Sequence, residues 1–309
     1  MIGRMELTPE SAQTETNTAS ETVAPASVVP SLVSELRALA IAVARDAAEL
    51  VRTKRAEIEA HDGLGAHTTT KTSAVDPVTE VDTASEKFIV AALSAARPGD
   101  GFLGEEGAST ISTTGVTWIV DPIDGTVNFL YGIPEYSVSI GAVVDGEPVA
   151  GAVINVARGV VYHAGLGQGA VREFGDGTAE ALVPRTEADP ALALLATGFG
   201  YSAAQRAHQA ELLTRLLPQV RDIRRMGSAA LDLCRVAEGS VDGYFEHGIK
   251  AWDCAAGTII AREAGCSVRH PGMDADGHSG AVIFAAQPSV EPALWDLLES
   301  VGATEAMPA

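Results

Sequence analysis

Two carboxylates, Asp121 and Asp124, stand in the run Trp118-Ile-Val-Asp-Pro-Ile-Asp-Gly-Thr126. The apolar residues ahead of them read as a short strand, Thr117–Val120. Pro122 has no N–H to give a ladder, so it is expected to end the strand and turn the chain. Both carboxylates can then swing to one side of the strand's carboxyl end. Gly125 lets backbone approach a ligand closely, and Thr126 can open a helix whose free N–H groups and positive dipole end suit a phosphate. A strand end with two carboxylates beside a helix start suits a metal-bridged phosphate. The same residues also suit a plain turn with a helix cap, a common use of Asp.

Further acids fall at similar junctions. Glu105 and Glu106 follow Leu103-Gly104, Asp253 follows Trp252 at an expected helix start, and Asp82 lies near the start of another helix. Each has a plainer alternative: Asp82 or Asp253 can cap its helix, and Glu106 can be a solvated loop charge. If Asp82, Glu105, Asp121, Asp124 and Asp253 converge, their repulsion calls for cations, and hard oxygen ligands suit Mg2+. Other chemistries have less to draw on. Cys234, Cys254 and Cys266 suggest neither a disulfide framework nor a thiolate zinc site. His247 has no second histidine at metal-ligand spacing. Arg224 and Arg225 can bind a second anionic group or a partner subunit, or be solvated or ion-paired.

Elements must bring these residues together. Leu32, Leu36, Leu39, Val43, Ala47 and Leu50 recur at steps of three and four and predict an amphipathic helix. A polar, mobile-looking stretch, His61 to Asp76, leads into a second helix that ends near Arg97, with Thr83 and Glu86 as its expected capping box. Val-rich segments at Tyr136–Val144, Val149–Val156, Val160–Ala164 and Gly169–Val171, separated by turn signals, predict an antiparallel meander. Beyond it come strands at Leu192–Thr197, Val241–Glu246 and Ala281–Ala286, and helices at Ala203–Leu217, Ser228–Glu238, Trp252–Ala264 and Pro292–Val301. Periodicity supports helices packed on sheets. Trp118 and Trp252 are expected to pack beneath the acids.

The whole chain has 309 residues, 21 Lys+Arg against 41 Asp+Glu, a net charge of −20 and 46% hydrophobic residues. That is globular composition without the positive field that nucleic acid or an anionic membrane requires. The span Leu32–Val51 is broken by Glu35, Arg37, Arg45, Asp46 and Glu49, so it cannot cross a bilayer as a lipid-facing helix. Residues 1–30, rich in Ser, Thr, Ala, Glu and Pro and without aromatic residues, read as a disordered tail with no secretory leader. A cytoplasmic protein is the expectation. Residues 31–175 would form one α+β half carrying the acidic motifs, and 176–309 a second half completing the site.

Together these motifs resemble the inositol monophosphatase family of Mg2+-dependent phosphomonoesterases. Gly104-Glu-Glu-Gly107 is similar to its first acidic motif, Trp118 through Phe129 to its second, and Trp252-Asp253 with Ala255-Ala-Gly257 to its third. Gly227-Ser-Ala-Ala-Leu-Asp-Leu233 and Tyr244-Phe-Glu-His-Gly248 also match. Residues 131–141 and 224–234 resemble the actinobacterial inositol-1-monophosphatases in particular. The resemblance runs from about Leu32 to the C-terminus and implies a five-layered αβαβα sugar-phosphatase fold, usually a homodimer.

It also implies roles. One Mg2+ would bind Glu105, Asp121 and the Ile123 carbonyl, a second Asp121, Asp124 and Asp253, and a third Glu105 and mostly water. Asp82 and Thr126 would orient and deprotonate the attacking water, and Lys71 would secure a loop beside the metals. Gly125 and Thr126 amides would hold the phosphate, while Asp124, Glu246 and the Ala229 backbone would contact the substrate. Direct attack of a metal-activated water on myo-inositol 1-phosphate, with sensitivity to lithium, is the implied activity. Histidinol phosphate, fructose 1,6-bisphosphate or 3′-phosphoadenosine 5′-phosphate are alternative substrates. Lys250 and Tyr201 depart from common family patterns near the pocket and bear on that choice. A catalytically idle scaffold would have lost a metal-binding acid, and all are present.

Overall fold

The computed structural model describes residues 28–61, 68–70, 77–185, 189–275 and 277–307. The proposed tail lies outside the described residues as far as residue 27, and so does Lys71. In chain order the helices are α1 (Pro30–His61), α2 (Glu80–Ala96), α3 (Thr126–Tyr131), α4 (Ala203–Leu216), α5 (Ala229–Ala237), α6 (Ala251–Glu263) and α7 (Glu291–Ser300). The strands are β1 (Thr68–Thr70), β2 (Pro77–Thr79), β3 (Gly101–Gly104), β4 (Ser109–Thr110), β5 (Val116–Asp124), β6 (Ser137–Val144), β7 (Glu147–Asn155) and β8 (Val160–Gly165). They continue with β9 (Ala170–Glu173), β10 (Ala179–Ala181), β11 (Leu194–Thr197), β12 (Asp222–Arg224), β13 (Gly243–His247), β14 (Ser267–Arg269) and β15 (Val282–Ala286).

The two-residue period of the strands decides the layering. On β5, Trp118 and Val120 join the core formed with α1 and α2, while Ile119 points to the opposite face, into the core built on α5 and α6. On β13, Tyr244 faces α5 and α6, and Phe245 faces the outer core with Leu212 of α4 and Leu294 of α7. The same alternation places Ile283 inward and Phe284 outward on β15. Helices α1 and α2 thus cover one face of an eight-stranded sheet, α5 and α6 fill the space to a five-stranded sheet, and α4 and α7 close the far side. This is the expected five-layered α+β sandwich.

The larger sheet has the order β10-β9-β8-β7-β6-β5-β3-β4, antiparallel throughout except where β3 pairs parallel with β5. Its β6 to β9 run is the predicted meander. In the smaller sheet, β12-β11-β13-β15-β14, the first three strands are parallel and β15 runs antiparallel to both of its neighbours, β13 and β14. Consequently β3, β5 and the starts of α5 and α6 meet at one end.

Three local expectations need correction. Pro122 does not end its strand: pairing with β6 continues from Asp121↔Ser139 to Asp124↔Ser137 across an irregularity that absorbs the proline. Thr83 lies inside α2, which begins at Glu80, so Thr83 and Glu86 form no capping box. The Glu86 carboxylate instead accepts the N–H groups of Glu106 and Ala108. Trp118 lies on the α1/α2 side of the sheet, where its indole N–H donates to Asp100 Oδ2 at 2.9 Å.

Candidate active site

Asp121 sits at the end of β5 and turns back on its own chain, its Oδ1 accepting the Ile123 N–H at 3.0 Å. The Ile123 carbonyl accepts the Thr126 hydroxyl at 3.1 Å. Gly125, just past the bulge, turns the chain from β5 into α3 at φ 92°. A Cβ there would also approach the Glu135 and Gly227 carbonyls to 3.0 Å. No side-chain-bearing residue fits both constraints without strain. Thr126 then opens α3 with Gly125 as its N-cap.

Asp124 reaches across to α5. Its Oδ2 accepts the Ser228 hydroxyl at 2.6 Å and the Ala230 N–H at 2.8 Å. The N-terminal amides of α5 are therefore turned toward a carboxylate, a favourable use of that helix end. Asp253 lies in the first turn of α6 and accepts the Lys250 N–H at 2.6 Å. That bond is half of a capping box in which Lys250 is the N-cap, so Asp253 stands at the third helical position and is not itself the cap. The Lys250 ammonium lies 4.9 Å from the centroid of the Trp252 ring.

One carboxylate oxygen from each of Asp121, Asp124 and Asp253 lies within 4.8 Å of the others. Burial raises Asp121 well above the usual carboxylate range, and repulsion from Glu105, Asp124, Asp253 and Asp82 adds to it. Burial likewise raises Asp253, with Asp124 and Glu105 pushing the same way. Asp124 is lifted to about 6, burial outweighing its bonds from Ser228 and Ala230. Crowded, largely buried carboxylates are poorly placed as bare anions and well placed around a divalent cation. The all-oxygen donor set fits a hard ion such as Mg2+.

The structure thus brings Asp121, Asp124 and Asp253 together, with Glu105 and Asp82 near enough to add repulsion at Asp121. Asp82 is buried in the first turn of α2, and Glu105 is half-buried after β3. Glu246, on β13, is half-buried rather than solvated, and its Oε2 accepts the Tyr244 hydroxyl at 2.8 Å. Burial lifts its carboxyl to about 7, opposed by the Tyr244 hydroxyl and the Arg225 charge. Ala229 begins α5 beside Asp124. Of the other residues, Arg224 pairs with Asp222 at 2.6 Å, and Tyr201 is exposed. His247 is buried against the Ala303 carbonyl at 2.9 Å, and all three cysteines are buried thiols.

Two residues escaped the sequence reading in their long-range roles. Ser228 stands where an N-cap is expected and does cap α5, accepting the Leu231 N–H at 3.3 Å. Its donation to Asp124, across 104 residues, has no local signal. Asp232 is buried on α5, and its Oδ1 has no hydrogen-bond partner.

The family model for the inositol monophosphatase family matches residues 32–303. The chain belongs to the inositol monophosphatase family. Inositol-1-monophosphatase SuhB of Mycobacterium tuberculosis is 48% identical over 285 residues, covering 89% of this chain and 97% of that protein. The Nus factor SuhB of Xylella fastidiosa is 40% identical over 237 residues, covering 74% and 84%. A solved structure of Mycobacterium tuberculosis SuhB superposes with a TM-score of 0.75 at 44% identity, covering 88% of this chain and 98% of that one. A phosphatase acting on a phosphorylated substrate is the activity this membership supports. No helix among the described residues is long and apolar enough to cross a membrane.

Proposed function

We propose that the chain is a Mg2+-dependent phosphomonoesterase that hydrolyses myo-inositol 1-phosphate to myo-inositol and phosphate. The observation that carries this reading is the meeting of the Asp121, Asp124 and Asp253 carboxylates within 4.8 Å, with Glu105 and Asp82 close enough to perturb Asp121. The preference for inositol 1-phosphate is supported by the name of the mycobacterial relative at 48% identity.

In this reading Glu105, Asp121, the Ile123 carbonyl, Asp124 and Asp253 hold two or three Mg2+ ions. The ions would neutralise the phosphate dianion, acidify water and stabilise the leaving oxygen in an in-line displacement. Asp82 and the Thr126 hydroxyl orient the attacking water and take its proton. The Gly125 and Thr126 amides hold phosphate oxygens, and Asp124, Ala229 and Glu246 contact the polyol. Lys71 supports the loop beside the site. No protein nucleophile is required, which leaves the buried cysteines free to serve as packing. A homodimer working in the cytoplasm on a small phosphorylated polyol, with no nucleic-acid or membrane partner, completes the reading.

Phosphate release from a panel of inositol 1-phosphate, histidinol phosphate, fructose 1,6-bisphosphate and 3′-phosphoadenosine 5′-phosphate, with and without Mg2+, tests it. Fastest Mg2+-dependent turnover of inositol 1-phosphate is expected. Turnover of no phosphomonoester would refute the enzyme, and preference for another member of the panel would replace the substrate. Retention of configuration at a chiral phosphate product would refute direct water attack. Lithium titrated against saturating Mg2+ is expected to inhibit.

A further inference from the structure

Glu86 is a buried carboxylate on α2 to which the proposed mechanism gives no part. It stands one turn beyond Asp82, on the same helix face. Its Oε2 accepts the Glu106 N–H at 2.8 Å and its Oε1 the Ala108 N–H at 2.9 Å. Both donors belong to the tight turn between β3 and β4, the turn that carries Glu105. On the other side of Glu105, its own N–H donates to the Val120 carbonyl at 3.3 Å, the residue before Asp121. The backbone around Glu105 is therefore tied to β5 on one side and to α2 on the other.

The fit is close. A Cβ on Gly104 would fall 2.2 Å from Glu86 Oε2, so glycine there is what lets the carboxylate lie against the turn. A buried carboxylate is costly to desolvate, and an ordinary turn needs no such anchor. Two charge-assisted hydrogen bonds to successive parts of one turn offset that cost and fix the turn's orientation.

We propose that Glu86 is a positioning residue for metal binding: by gripping the N–H groups of Glu106 and Ala108 it aims the Glu105 carboxylate at the Asp121 cluster. This inference rests on the metallophosphatase reading above. Helix α2 thereby carries both Asp82, which faces the cluster, and the clamp that sets the position of a second acid of the cluster. The site's geometry then depends on the seating of α2 as much as on β5.

The test is Mn2+ binding by the full chain without substrate, followed by loss of the free-ion EPR signal. Glu86→Ala is expected to weaken binding about tenfold or more, the scale seen when an outer-shell partner is removed. Glu86→Gln keeps the size and one acceptor oxygen, so it should fall between Glu86→Ala and wild type and keeps the test open if the alanine variant does not fold. Leu93→Ala, buried on the same helix but remote from the turn, should lower Tm without moving Mn2+ affinity. In a Glu105→Gln background, Glu86→Gln should cause no further loss, since its effect runs through Glu105. Unchanged affinity in both Glu86 variants, or an equal additional loss in the Glu105→Gln background, would overturn the inference while leaving the metal site standing. A wild-type chain that binds no Mn2+ would overturn both.

Discussion

The Ser228 hydroxyl donates to Asp124 Oδ2 at 2.6 Å and so joins the end of β5 to the start of α5. The Ser137 hydroxyl lies 3.1 Å from the same oxygen of Ser228 and, with the Ser228 proton given to Asp124, must be the donor. One side chain thus caps a helix and fixes an acid of the proposed metal site. Ser228→Ala should cost about 1 kcal/mol as a lost cap. It should also lower kcat/KM by about tenfold as a lost orienting contact. Ser228→Thr, which keeps the hydroxyl, should recover most of the activity. Equal activity in the alanine variant would show that Asp124 holds its place without Ser228. Thermal melts and steady-state kinetics on the same preparations separate the two effects.

Asp121 is crowded, with repulsion from four neighbouring carboxylates added to its burial. Asp121→Asn removes that repulsion and keeps an oxygen that can accept the Ile123 N–H. In the metal-free protein the variant should melt higher, by the roughly 2–4 °C that about 1 kcal/mol gives a domain of this size. Activity should fall by at least about a hundredfold, because one charge of the cation site is gone. Opposite signs for stability and activity mark a residue kept for chemistry. A variant that is both less stable and fully active would contradict the assignment.

Much of this was legible in the sequence because the period of burial is local information. The Val-rich segments from Tyr136 to Val171 form consecutive strands because each turn signal, such as Asp145-Gly146, lies next to the strand it closes. The acids of the candidate site were visible for the same reason: they stand at strand ends and helix starts, where Asp and Glu have recognisable company. Local spacing misleads where the partner is distant. It pairs Glu86 with Thr83, three residues away, yet the partners of Glu86 are the amides of Glu106 and Ala108. It sets Trp118 under the acids, but strand alternation puts it on the α1/α2 face, opposite Ile119. It makes Pro122 a stop, although the pairing of β5 with β6 skips past it. In each case the deciding contact lies across the fold.

The share of metal-free stability that rests on the clustered carboxylates and Glu246 should fall as pH rises from about 4.5 to about 7. Burial lifts Glu246 to about 7 and Asp124 to about 6, and Asp121 and Asp253 move in the same direction. Over that range the folded chain retains protons that the unfolded chain has released. Their contribution to the slope of unfolding free energy with pH is then negative, while His163, His247 and His270, whose pKa values burial lowers, contribute with the opposite sign. The contribution is full below the unfolded carboxylate pKa, near 4, and is lost once pH passes the folded values. Excess Mg2+, which favours the ionised carboxylates, should flatten or reverse the trend. Melting curves at half-unit steps from pH 4.5 to 7.5, with chelator and with Mg2+, check both statements. A metal-free slope that Glu246→Gln and Asp124→Asn both leave unchanged would show that these carboxylates are solvated in solution.

If Glu246 contacts the polyol as proposed, its variants should separate recognition of the polyol from hydrolysis of the phosphate. It lies on β13 in the smaller sheet, its Oε2 fixed by the Tyr244 hydroxyl at 2.8 Å, while the clustered acids come from β5 and α6. A Gly198 Cβ would fall 2.0 Å from Glu246 Oε2, so the side chain is pressed against backbone with little room to move. A carboxylate held in this way can accept a hydroxyl hydrogen bond at a fixed position. Glu246→Gln should raise KM for inositol 1-phosphate about tenfold, roughly the value of one hydrogen bond to a charged group. It should leave turnover of p-nitrophenyl phosphate, which carries no hydroxyl to read, within about twofold of wild type. Equal losses on both substrates would move Glu246 from substrate recognition to support of the metal site. Unchanged kinetics on both would leave it with no part in either.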